Sequence, residues 1–207
     1  MKMLKKAAAV AMAAAMSLTL LTACGGGSGT GSAVAIGESY TIETTLIEEN
    51  GEEPKETQKT YETTNGTWSY IEETYGTERY ADLQNIKTGE RYKINPVSMK
   101  AYKMPALGNA GGDGADRNDT ITRGTWTDKD GKIYTTETIT VTESDGKAVT
   151  TTYYYQDKPE YIKYESTSKY GDYEEVHKVT RYTRTADESK FDISKYTLVE
   201  NRDDLWN

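Results

Sequence analysis

The chain reads as a mainly β protein, and three observations lead there. Thr and Tyr together supply 48 of the 207 residues, 31 and 17 respectively. A β-branched side chain or a flat ring suits a pleated, half-buried surface better than a helix. Short alternating segments are punctuated by turn pairs such as Asn50-Gly51, Asn65-Gly66 and Asp130-Gly131, the cadence of an antiparallel meander. Beyond the first two dozen residues no long segment carries a 3.6-residue apolar period, so helix should be scarce.

The first segment is an address. Lys2, Lys5 and Lys6 precede an uncharged apolar stretch, 7–20, that is short and Ala-rich for a spanning helix. It ends in Leu21-Thr22-Ala23-Cys24, which resembles a bacterial lipobox. The resemblance implies that residues 1–23 are a signal peptide removed after a diacylglyceryl group joins the Cys24 sulfur. The alternative is an ordinary signal peptide ending beside a chance cysteine. Lipidated Cys24 would tie the protein to the extracytoplasmic face of the cell membrane, with palmitate-type chains as anchor. The Gly/Ser-rich stretch 24–37 then serves as a tether reaching about 20 Å root-mean-square. Its style suits a Gram-positive surface lipoprotein.

Residues 38–207 are expected to form a single antiparallel β domain. Residues 40–48 alternate, with Tyr40, Ile42, Thr44 and Leu46 on one face. Strands follow at 55–64, 67–74, 77–86, 91–95 and 98–104, with Pro96 ending the fifth. The stretch 105–120 is rich in Gly and Asp and reads as a loop. The second half repeats the pattern at 123–128, 132–143, 147–156, 160–167 and 173–185, with turns at Asp145-Gly146, 157–159 and Gly171-Asp172. The tail 190–205 offers Phe191, Ile193, Leu198 and Val199 to pack back on the core. Aliphatic residues are few, so Tyr and Trp must supply much of the buried face, giving a curved sheet with a shallow aromatic concavity.

Composition excludes several function classes. The formal charge of −8 becomes −11 once Lys2, Lys5 and Lys6 are removed, leaving 22 bases against 33 acids. A nucleic-acid partner needs the opposite balance. One Cys excludes an intrachain disulfide framework and a Cys-based zinc site, and one His excludes a His-rich metal centre. No cofactor is implied.

The middle of the chain carries a recurring order: Tyr61, Trp68-Ser69-Tyr70, Arg79-Tyr80, then Thr88-Gly89-Glu90-Arg91-Tyr92-Lys93-Ile94-Asn95-Pro96, then Lys100-Ala101-Tyr102-Lys103-Met104-Pro105. It resembles the LolA-like lipoprotein-carrier superfamily as found in Gram-positive lipoproteins, over about residues 38–105 with a looser echo at 190–199. The resemblance implies an open half-barrel whose concave side accepts an acyl chain or another elongated hydrophobic group, or an envelope protein. The candidate lining is Tyr40, Ile42, Leu46, Trp68, Tyr70, Tyr92, Ile94, Tyr102 and Met104. The competing account makes these rings the plain core of an aliphatic-poor sheet. A second functional reading is a module that binds cell-wall glycan or a wall enzyme through surface tyrosines.

Other constellations favour structure over chemistry, and an enzyme is not expected. Residues 126–137 echo a calcium loop at Asp128, Asp130, Gly131 and Glu137, but Trp126 stands where the first ligand should be, and a hairpin turn explains the same residues. Asp113, Asp116 and Asp119 sit in the Gly-rich loop with Arg117 among them, as a solvated loop would have them. His177 shares a strand face with Tyr173, Glu175 and Val179, yet no nucleophile elbow accompanies it, which points to a surface or half-buried structural histidine. The pairs Glu48/Glu49, Glu52/Glu53, Glu72/Glu73 and Glu174/Glu175 point to opposite strand faces. They read as exposed solubilising charge rather than paired catalytic carboxylates.

Overall fold

Alternation and turn chemistry translate directly into strands. A computed structural model describes residues 39–105, 118–142, 148–168 and 171–206. The strands are β1 (Tyr40–Glu49), β2 (Gln58–Thr64), β3 (Trp68–Tyr75), β4 (Glu78–Asn85), β5 (Arg91–Asn95), β6 (Lys100–Met104), β7 (Asn118–Thr127), β8 (Ile133–Thr142), β9 (Ala148–Tyr155), β10 (Pro159–Ser168), β11 (Gly171–Thr183) and β12 (Thr197–Val199). Three short 3₁₀ turns, Glu188–Phe191, Ile193–Lys195 and Arg202–Leu205, are the only helical elements among the described residues. The mainly β, helix-poor fold is the one expected. The hydrogen-bonded order is β12-β6-β5-β4-β3-β2-β1-β11-β10-β9-β8-β7, so the sheet is open, with β12 and β7 at its ends.

Two features depart from the expectation. The sheet is mixed, because β12 runs parallel to β6, pairing Thr197 with Lys100 and Val199 with Tyr102. A three-residue strand carries too little periodicity to be read in advance. Strand β7 begins at Asn118, inside the stretch 105–120 whose composition predicts a loop, and pairs with β8 residue for residue from Asn118↔Thr142 to Thr127↔Ile133. Its Thr-Ile-Thr alternation wins over the Gly/Asp composition just before it. The expected signal peptide, Cys24, the expected tether, Asp113, Asp116 and the expected Asp145-Gly146 turn lie outside the described residues.

Asn65, Asn85 and Asn95 turn the chain by one device. Each side-chain oxygen accepts two backbone N–H bonds, at positions two and three residues on. The donors are Thr67 and Trp68 (3.0 and 2.8 Å), Lys87 and Thr88 (3.0 and 2.9 Å), and Val97 and Ser98 (3.0 and 3.1 Å). These N–H groups are diverted from the ladder, so the strand turns there. Asn50 and Gly51 take left-handed φ values of 52° and 80°, as the Asn-Gly pair predicts.

The described residues form two compact units. The β2–β6 unit holds the start of β1, β2 to β6 and the chain from Arg181 on; the β7–β10 unit holds the end of β1, β7 to β10 and β11 up to Thr180. In the β2–β6 unit, Tyr70, Ala81, Leu83, Tyr92, Ile94 and Ala101 form a buried cluster. Each large apolar side chain removed from water there contributes about 1.5–3 kcal/mol.

Candidate functional site

Register decides which side chains share a face. In the β2–β6 unit, paired positions run Thr63↔Tyr70, Tyr70↔Leu83 and Leu83↔Tyr92 along one row, with Ala81↔Ile94 beside it. Another row runs Ile42↔Glu62, Glu62↔Ile71, Ile71↔Asp82, Asp82↔Lys93 and Lys93↔Tyr102, on the opposite face. The expected lining therefore does not form one surface. Trp68, Tyr70, Tyr92 and Ile94 stand on the first face. Tyr40, Ile42, Tyr102 and Met104 stand on the second, and Leu46 belongs to the other unit. A one-residue change of phase at any turn inverts a strand's faces, and turn phase is what alternation alone does not reveal.

The first face is filled by the chain itself. Phe191, Ile193 and Tyr196 pack on the Tyr70–Ile94 cluster together with Tyr61 and Trp68. The Lys190 ammonium sits 5.0 and 4.9 Å from the Tyr61 and Tyr70 ring centres and 3.3 Å from Glu72 Oε2. Tyr70 donates to Glu72 at 2.7 Å, and Arg79 binds the other carboxylate oxygen. Burial pushes the Glu72 carboxyl up. The bonds from Tyr70 and Arg79, with the Lys190 charge, outweigh it and hold the group below the ordinary carboxylate range. The tail then crosses the edge. Leu205, fully buried, accepts from Asn95 Nδ2 and Ser98 Oγ at 2.9 and 3.1 Å through its carbonyl, and Lys100 donates to the Asp204 carbonyl at 3.1 Å.

The β7–β10 unit presents a different buried face. One row pairs Arg123↔Glu137, Glu137↔Tyr153, Tyr153↔Ile162 and Ile162↔His177. The next pairs Ile139↔Thr151, Thr151↔Tyr164 and Tyr164↔Glu175, and the third pairs Val141↔Val149, Val149↔Ser166 and Ser166↔Tyr173. Across this face, β8 and β9 bring Ile139, Val141 and Val149, while β11 brings Tyr173, Glu175 and His177. All but Tyr173 are buried. His177 Nε2 lies 3.1 Å from Glu175 Oε2, and its ring meets Tyr164 edge-on at 5.2 Å. Tyr173 donates to Glu175 Oε1 and lies 3.0 Å from Glu49 Oε1. Burial, then the bond to Glu175, raises the Tyr173 phenol far above its usual range and keeps it a donor. Arg123 grips Glu137 Oε2 through Nε and Nη2 at 2.9 and 2.8 Å. Thr151 Oγ1 is buried with no hydrogen-bond partner. A cleft of about 510 Å³ opens at the β11 side, lined by Asn50, Gly51, Ser166 and Tyr173 among others.

The remaining constellations resolve on geometry. Asp128 Oδ1 accepts from the Asp130 and Lys132 N–H groups at 2.9 and 2.8 Å, so this aspartate closes a hairpin turn. Among the described residues no group of three His, Cys, Asp or Glu side chains could hold a metal ion. His177 is wholly buried rather than at or near the surface, and Glu72, Glu73 and Glu175 are buried rather than solubilising. Glu72 and Glu175 can be so because tyrosine hydroxyls, arginine or histidine meet them. Sequence reasoning missed this pairing, although each acid lies two residues from its tyrosine, the spacing that puts both on one strand face.

No family model matches the chain, and no curated protein matches it. Among solved structures, the chain is similar to an uncharacterized conserved protein from Thermus thermophilus. The identity is 9%, the TM-score 0.46, and the match covers 79% of this chain and 90% of that one. It is also similar to a DUF1329 family protein from Desulfovibrio piger, at 10% identity and a TM-score of 0.34, covering 77% of this chain and 91% of that one.

Proposed function

We propose that the protein is a membrane-anchored extracytoplasmic lipoprotein of the LolA-like kind that binds a hydrophobic or amphipathic ligand on the buried face of the β7–β10 unit. One observation carries this reading: on that face β8 and β9 bring the apolar Ile139, Val141 and Val149, with Glu137 and Thr151 beside them, and β11 brings the polar Tyr173, Glu175 and His177. An acyl chain suits the first and a hydrogen-bonding head group the second. Thr151 Oγ1 supplies a further buried hydroxyl to meet a polar atom. The β2–β6 unit is the weaker candidate, since Phe191, Ile193 and Tyr196 already cover its aromatic cluster. The reading involves no catalytic step.

A photoreactive fatty acid added to membranes carrying the full chain tests it. Label on peptides spanning 133–168 is the expected result. Label absent from that span, or confined to 183–206, would remove the β7–β10 face as the site.

A further inference from the structure

The outward face of the β7–β10 unit has no part in the reading above. Its register pairs Trp126↔Tyr134, Thr136↔Tyr154 and Tyr154↔Tyr161, so all four rings stand on one side of the sheet. Tyr134 is 2% exposed and forms the floor, while Trp126 is 44% exposed. Trp126 lies 5.6 Å from Tyr134 and 5.1 Å from Tyr154, ring centre to ring centre, and Tyr134 lies 5.8 Å from Tyr161. Gly124 stands in the same row as Thr136 and Tyr154, so no side chain rises beside Trp126 on that strand. A Cβ there would come 3.3 Å from Thr136 Oγ1.

We propose that Trp126, Tyr154 and Tyr161 form a stacking strip for an uncharged, β-linked polysaccharide strand. The strip crosses four strands, about 14 Å at the usual strand spacing. That is long enough to meet more than one hexose ring. Its rings are held by one another, so little freedom is lost on binding. Hydroxyl rows continue from it: Thr138 and Thr152 are 3.0 Å apart through their Oγ1 atoms, and Thr140 and Thr150 3.2 Å. Flat rings beside hydroxyl rows match a sugar, whose C–H face is apolar and whose rim is hydroxyl.

Charge selects among ligands. In a chain of net charge −8, two cations along this face are paired, and a third, Lys178 opposite Tyr161 on β11, is exposed. Lys132 meets Glu160 at 2.8 Å, and Lys163 meets Glu165 and Glu174 at 3.1 and 2.9 Å. Acid and base alternate, so the face offers no single-sign field to a polyanion or a basic protein. An acyl chain would need a continuous apolar groove, and here threonine rows end the strip of rings. An uncharged glycan fits both conditions.

The full chain in detergent micelles, sedimented with insoluble chitin, tests the assignment. Wild type is expected to sediment, and excess soluble chitohexaose to release it. A wild type that sediments but is not released by the soluble oligosaccharide binds the polymer surface and not its sugar rings, which overturns the proposal. Trp126→Ala and Tyr154→Ala are each expected to lower the bound fraction about ten-fold, with Trp126→Phe between them and wild type. Trp206→Ala removes a ring of similar exposure, 45%, from the other unit and should bind like wild type. A thermal melt within a few degrees of wild type shows each variant folded. If Trp126→Ala does not fold, Tyr154→Ala and Tyr161→Ala decide. Wild type left in the supernatant, or equal losses for Trp206→Ala and Trp126→Ala, overturns the proposal. Fatty-acid labelling of 133–168 should be unchanged in Trp126→Ala, so failure of either reading is recognised separately.

Discussion

At Glu62 a single carboxyl sets a pH dependence. It is 4% exposed and accepts from Tyr40 Oη at 2.6 Å. Burial raises it from 4.5 to about 7, with the Tyr40 bond opposing. The folded state thus holds a proton that the unfolded state releases. No penalty exists below pH 4.5. It grows as pH rises from 4.5 to about 7 and is constant above, on the order of 3 kcal/mol. Glu62→Gln should therefore leave stability unchanged near pH 4 and raise it above pH 7, measured by urea unfolding at both. Equal effects at the two values would show that Glu62 is not buried as a protonated acid. Glu175 behaves as an acceptor for two neighbours, Tyr173 and His177. Glu175→Ala should cost about 3 kcal/mol, and Glu175→Gln less, because the amide oxygen still accepts one bond.

Among the elements, the tail does more than its length suggests. One stretch of about 20 residues fills a sheet face with Phe191, Ile193 and Tyr196, adds β12 at the edge and seats Leu205 against Asn95 and Ser98. Leu205→Ala should cost about 2–5 kcal/mol. Amide exchange should quicken over Thr197–Val199 and stay unchanged in β8 and β9. Exchange that leaves β12 untouched would mean that Leu205 does not hold it. The Asn turns are smaller devices: Asn85→Ala removes acceptors for two N–H groups and should cost about 1 kcal/mol, read from the shift in urea midpoint. These turns are legible in the sequence, because Asn-Gly and Lys-Thr-Gly have few other uses. Phe191 and Ile193 are legible as packing residues. Leu198 is not a core residue and stays 59% exposed: its pairing with Ala101 puts it on the cluster's face, but it stands on the end strand of the sheet.

For the whole molecule, the open sheet leaves β7 and β12 as ends. β12 is only three residues long, a common way to blunt an edge, whereas β7 runs ten residues. The proposed anchor belongs to this scale too. Cys24→Ala should abolish a diacylglyceryl mass on the chain and release or mislocalise it, checked by mass spectrometry of the membrane fraction. Two acyl chains hold a protein on a bilayer where one does not. A variant retained equally in membranes would show that something other than Cys24 holds it.

The 31 threonines and 17 tyrosines, with the Asn and Gly turns, were enough to determine a β meander with scarce helix, because strand preference and turn chemistry are local. They also placed Tyr153 and Tyr155 on one face and Tyr154 on the other, since alternation within one strand is local as well. Only the tertiary structure decided which strands' faces coincide. Tyr40 and Tyr70 look alike in sequence yet stand on opposite sides, and Trp126 stands beside Tyr154 from two strands away. It also decided that the tail occupies the aromatic face of the β2–β6 unit. Pairing phase and the return of the tail depend on contacts between residues far apart in the chain, where no local preference acts.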